Sequence, residues 1–155
     1  MLVIYIDGDG CPVKDEVYRV ARRYKLSVQV VSNHFQRVPA DPAFAWVPVE
    51  SGTGKADDYI AEHIEDCDLV VTADIPLAAR CLERGAAAIG PKGREFTKDS
   101  IGEALAGRLL SDHLRQLGIM NGGPAPMAQK DRSRFLSVLD NMANAMLRKA
   151  KSKAI

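Results

Sequence analysis

The sequence predicts an α/β fold, a three-layer α/β/α sandwich around a mostly parallel central sheet. Three observations carry this. The runs LVIYI (2–6) and DLVVT (68–72) are almost continuously apolar and β-branched, as strands buried on both faces should be. Segments of helical period alternate with such runs, the pattern of βαβ units. The 155 residues, 46% hydrophobic, suit one domain (1–155) with a real core.

The elements follow in order. After the strand at 2–6 comes DGDGCP, whose glycines permit unusual backbone angles, and Pro12 suits the first turn of a helix. A helix over 13–25 places Val13, Val17, Val20, Ala21 and Tyr24 on one face. SVQVVS (27–32) is a second strand, and 33–43 is a loop with two prolines. A short strand follows at 44–49, which Pro48 assigns to a sheet edge.

SGTG (51–54) is a loop, 56–66 a helix and 68–72 a buried strand. The helix at 76–84 is closed by Gly85. Residues 86–89 form a short strand and GPKGREFT (90–97) a basic loop. A helix at 99–117, a Gly/Pro loop at 118–128 and a last helix from about 131 to 151 complete the chain. The KAKSK tail reads as a frayed, solvated end from about residue 150. Two apolar stripes, Leu105/Leu109/Leu110/Leu114 and Phe135/Val138/Leu139/Met142/Met146, read as core, with a homo-oligomer as the other way to cover the second.

A net charge of +1 gives no strong whole-molecule field, so an anionic partner must be held by a local patch. Cys11, Cys67 and Cys81 are odd in number and form no CxxC pair, which favours a reducing compartment over a disulfide framework. The N-terminal apolar run is too short for a signal peptide or a membrane span. The expectation is a cytoplasmic protein with no membrane partner.

Ligands of open α/β sheets bind beyond the carboxyl ends of the strands. Asp7 and Asp9 follow the first strand, Asp74 follows the strand at 68–72, and Asp57 and Asp58 open the helix that feeds it. Neighbouring parallel strands would bring these acids to one rim. Their repulsion calls for a neutralising partner, and Mg²⁺ or Mn²⁺ accepts such oxygen ligands. Such a site suits phosphodiester hydrolysis. Each acid also has a structural reading. Asp57 and Asp58 can complement a helix N-terminus, Asp74 can be an N-cap ahead of Pro76, and DGDG can be a turn.

DGDGCPVK, NHFQRVP, KADDYI, VVTADIPLA, GPKGREFT and GGPAPMAQKDRSRF, in this order, resemble the bacterial YaiI/YqxD family over nearly the whole chain. That family is similar in its core to PIN-like and NYN-like nuclease domains. The resemblance implies a PIN-like fold and metal-dependent cleavage of RNA or single-stranded nucleic acid. It implies Asp7, Asp57 and Asp74 as metal ligands, with Asp9 and Asp58 auxiliary to catalysis. Relatives more usually carry alanine at Gly8 and Gly10, and some carry an acid at Gly54, so one potential ligand is missing here.

Asn33, Arg37, Lys92 and Arg94 sit in loops that can reach the rim and contact phosphates, with Lys55, Lys130 and Arg132 as further candidates. Lys130 and Arg132 read rather as solvated surface. His34 reads as a loop residue before a general base. Cys11 precedes a helix N-terminus, which favours thiolate, yet nearby carboxylates oppose it. Two rival functions stand beside the nuclease. One is a non-catalytic module that binds RNA or metal. The other is a haloacid-dehalogenase-type phosphatase with Asp7 as nucleophile, whose expected order of Lys before an acidic pair is reversed here.

Overall fold

The computed structural model describes residues 2–52, 54–103, 105–107 and 127–154. Six strands form one sheet in the order β3-β2-β1-β4-β5-β6. They are β1 (Val3–Asp7), β2 (Ser27–Ser32), β3 (Phe44–Pro48), β4 (Leu69–Val71), β5 (Ala87–Ile89) and β6 (Glu95–Phe96). The first five are mutually parallel, and β6 returns antiparallel to β5. Helices α1 (Lys14–Tyr24), α2 (Lys55–His63), α3 (Ile75–Glu83) and α5 (Gln129–Ala154) flank it. A further helix, α4, is described over 98–103 and 105–107. Most of the expected 99–117 helix, including Leu109, Leu110 and Leu114, and most of the 118–128 loop lie outside the described residues.

Alternation along the strands builds the three layers. Ile4 and Ile6 of β1 point to the α1/α5 side, with Val28, Val30, Leu69 and Val71. Tyr5 points to the α2/α3 side, with Val31 and Val70. Both faces are apolar, which is why the central strands are apolar without a break. On α5, Phe135, Leu139 and Met142 are buried against the α1 face, and Val138 and Met146 pack at its margin. The second apolar stripe is therefore covered within the chain. No helix among the described residues is long and apolar enough to cross a membrane.

Three expectations need correction. GPKGREFT is not all loop: Glu95–Phe96 pairs with β5, and Gly90 N–H donates to Arg94 O at 2.8 Å to close the hairpin. Pro12 lies ahead of α1 rather than in its first turn, since Val13 is the N-cap. The last helix does not stop at 151, because α5 continues to Ala154 and Lys153 pairs with Asp66. Pro48 ends β3, which is the sheet edge that its missing N–H requires.

Candidate functional site: an acidic rim at the switch point

Connections leave β1 in one direction to β2 and β3, while β4 and β5 lie on its other side. The sheet therefore has a topological switch point between β1 and β4, where a crevice opens beyond the carboxyl ends. Asp7 ends β1 beside Val71, the last residue of β4, because Ile6 pairs with Val71. The chain then turns through Thr72 into Asp74 and α3.

Thr72 joins the two sides. Its buried hydroxyl donates to Asp7 Oδ2 at 2.9 Å and accepts the Asp74 backbone N–H at 2.9 Å. Asp74 is the N-cap of α3, accepting Leu77 N–H on Oδ1 at 2.9 Å with Pro76 in the first turn. The structural reading of Asp74 is thus correct, and it positions the acid at the rim rather than removing it. Burial pushes the Asp7 carboxyl up, the Thr72 hydroxyl pulls it down, and Asp74 and Asp9 push it up again.

Asp57 comes from the first turn of α2 and completes the convergence. Its carboxyl rises to about 6 through burial, then the charges of Asp74 and Asp7, then a hydrogen bond with Asp74. Arg80 acts in the opposite direction. Asp57 and Asp74 are therefore in contact, and Asp7 is near enough to feel both charges, from three separate elements, though the three do not surround one point. Asp9 stands at the margin, where its Oδ2 accepts Asn33 N–H at 3.5 Å. Asp58 is instead paired with Arg80 at 3.0 Å, on the exposed side of α2 and α3. Arg80 and Thr72 are the two members of this region that the sequence did not single out.

Repulsion alone does not demand a metal here. The N-termini of α2 and α3 both face the rim, Arg80 adds a cation, and Asp57 can hold a proton. Among the described residues no group of three or more His, Cys, Asp or Glu is already arranged around a metal position. A cavity of about 50 Å³ lies between Asp7, Asp9, Cys11, Thr72 and Pro91, room for one or two water-sized bodies.

The loops approach unequally. The Asn33 amide reaches Ser51 Oγ at 3.5 Å, beside the rim. Pro91 at the start of the β5–β6 hairpin lines the same crevice, while Lys92 and Arg94 follow it in the hairpin and are not part of that lining. Arg94 lies over the Phe96 ring at 5.5 Å. Arg37 sits farther along its loop and lines a cavity with Asp15 and Tyr18 beside α1. Arg132 is not simply solvated: it donates to Pro12 O at 2.7 Å and pairs with Glu16 at 3.5 Å, tying α5 to α1. Burial, foremost, pushes the Cys11 thiol up, and Asp7 and Glu16 add to it, so this cysteine is no ready nucleophile.

A larger cavity, about 750 Å³, lies at the opposite end of the strands beside Leu2, Asp66, Asp68 and Lys151. Two of its acids, Asp66 and Asp68, are already matched. Asp66 pairs with Lys149 and Lys153, and Asp68 accepts the Val3 and Glu65 N–H groups, each at 2.9 Å. The rim is the better candidate.

The model of the uncharacterised YaiI/YqxD family matches residues 5–145 of this chain. The chain belongs to that family. This YaiI/YqxD member is 54% identical over 144 residues to a UPF0178 protein of Paramagnetospirillum magneticum, covering 93% of this chain and 95% of the relative. It is 53% identical over 140 residues to a UPF0178 protein of Caulobacter sp., covering 90% and 93%. With a UPF0178 protein of Rhodopseudomonas palustris the identity is 51% over 146 residues, covering 94% and 92%. No solved structure matches.

Proposed function

We propose that this YaiI/YqxD protein is a divalent-cation-dependent phosphodiesterase that cleaves RNA or another single-stranded nucleic acid at the acidic rim. The observation that carries the reading is the proximity of Asp7, Asp57 and Asp74 across the β1/β4 switch point. All three offer only oxygen, the donor type that Mg²⁺ and Mn²⁺ prefer. Such a cation, when bound, activates water and stabilises charge on phosphoryl oxygens.

The chain's own residues set the conditions. Asp57 would have to release its proton, which it does as pH rises through about 6. The three carboxylates would then have to draw together, since they do not yet enclose a common point. Thr72 holds Asp7 Oδ2, which would leave the other oxygen of Asp7 to meet a ligand. Asp9 supports the outer ring of the site, Asp58 holds Arg80 beside it, and Asn33, Lys92, Arg94 and, farther along its loop, Arg37 would contact phosphates. The reading places the protein in the cytoplasm, where its three free cysteines stay reduced.

The test is cleavage of a panel of RNAs and DNAs with Mn²⁺, Mg²⁺ or EDTA, using wild type, Asp7→Asn and Asp74→Asn. Cation-dependent cleavage should fall on the order of a hundredfold or more in both variants. Activity unchanged in both variants, or no cleavage under any cation, sinks the proposal. The existing compensation by Arg80 and the helix N-termini favours one second reading, a binding module without catalysis. That reading expects oligonucleotide binding in EDTA and no product.

A further inference from the structure

Phe35 is the large hydrophobic side chain left exposed among the described residues, at 73%. A single exposed apolar residue is ordinary on a protein surface. Three further observations set this one apart. Its ring meets Trp46 edge to face, with centroids 5.0 Å apart and planes at 77°. Trp46 is itself fixed, because its Nε1–H donates to Ser32 Oγ at 2.9 Å. The same buried Ser32 hydroxyl donates to His34 O at 2.6 Å, which holds the start of the loop that carries Phe35. The aromatic pair is therefore preorganised and not a loose side chain.

Its position is the second point. The loop begins at Asn33, whose backbone N–H contacts Asp9 at the margin of the rim. Phe35 follows two residues later and Arg37 two residues after that, and Asn33, His34, Phe35 and Arg37 are all exposed. An aromatic face that follows an amide at the margin of the rim, with the Arg37 guanidinium farther along the loop toward α1, is a chemistry for bases and phosphates in succession. Stacking of bases on aromatic rings with a cation along the backbone is how unpaired strands are held. A duplex keeps its bases stacked inside and cannot offer one to a side chain.

We propose that Phe35 and Trp46 form a stacking platform for an unpaired nucleobase, so that the polymer entering the rim is single-stranded. This rests on the reading of the rim as a nucleic-acid site. Trp46 is the chain's one tryptophan, so its emission reports on the platform directly. The experiment titrates the full chain in EDTA with a single-stranded 12-mer and with the same 12-mer annealed to its complement. The single strand should quench Trp46 and the duplex should not. Phe35→Ala should weaken single-strand binding about 5- to 100-fold, and Phe35→Tyr should keep it within about threefold.

Unchanged Trp46 emission at saturating single strand overturns the platform, and so does Phe35→Ala binding as wild type does. Equal affinity for the duplex overturns the single-strand assignment. Dissociation of a dimer by Phe35→Ala with oligonucleotide affinity intact assigns the surface to self-association, which also overturns it. The two proposals fail separately. Quenching in EDTA without cleavage under any cation keeps the platform and removes the nuclease. Cleavage lost in Asp7→Asn while Phe35→Ala binds and cleaves normally keeps the nuclease and removes the platform.

Discussion

Asp57, like Asp7, carries part of the cost of gathering carboxylates at the rim. Its folded value of about 6 stands above the reference 3.8, so folding favours the protonated form. The sign follows from linkage: the contribution is fully present below the unfolded value and is lost as pH rises through about 6. Asp57→Asn should therefore flatten the stability profile between about pH 4 and 6. At pH 7.5 it should stabilise by about 1 kcal/mol after discounting for partial exposure, about 2–4 °C in melting temperature. Thermal melts from pH 4 to 8 test this. A variant less stable at pH 7.5 with an unchanged pH profile would contradict the proton-holding role. Asp7 and Asp74 were legible in the sequence because they follow apolar runs at strand ends, and Asp57 because it opens the helix that feeds the second of those strands. Thr72 was not, since a hydroxyl at the end of a strand has no pattern of its own until Asp7 and Asp74 are placed on either side of it. Arg80 was not singled out either, since its partner Asp58 lies on another helix.

Gly85 shows how an element is held by its end. Its φ of +85° is a left-handed angle that glycine adopts without strain, just beyond the last turn of α3. A Cβ there would come within 2.4 Å of Asp66 Oδ1. Asp66 cannot swing aside freely, because Lys149 and Lys153 hold it, and Lys149 also donates to Gly85 O at 3.2 Å. Gly85→Ala should cost about 1–3 kcal/mol, read as a lowered urea midpoint with unchanged slope. The cap was legible because glycine after a helical run has one common use. The β5–β6 hairpin was not: a two-residue strand is too short for any period, and Gly90 and Gly93 read as loop. Gly93 makes sense only in three dimensions, where a Cβ would meet the Phe135 backbone N at 2.9 Å. The hairpin that carries Lys92 and Arg94 is thus seated against α5.

Across the whole molecule, the layer order followed from the alternation of strands and helices, and the sheet edge followed from Pro48. The end of the chain did not. Lysines and small residues suggested a solvated tail, but their partner is an acid in a turn more than eighty positions away, with Lys149 and Asp66 separated by 83 residues. Phe135 is the fully buried anchor of α5 on the α1 face. Phe135→Ala should destabilise by about 3–5 kcal/mol, since a ring is removed where neighbours relax only in part. Equilibrium urea unfolding measures it, and a loss below about 1 kcal/mol would show that α5 is not needed to close this layer.

The reach of α5 also sets an order of events during synthesis. Arg132 meets Pro12 across 120 positions, and Arg23 meets Asp140 across 117. The α1 side of the sheet is therefore translated long before the helix that covers it. Until residues 129–154 leave the ribosome, the apolar layer that includes Ile4, Ile6, Val28 and Val30 has only α1 to cover it on a nascent chain. Contacts so distant form slowly, and such a surface invites association with other chains in the interval. Ribosome-stalled chains ending at residue 128 should be bound by hydrophobic-surface dyes and holdase chaperones, and chains extended past residue 154 should not.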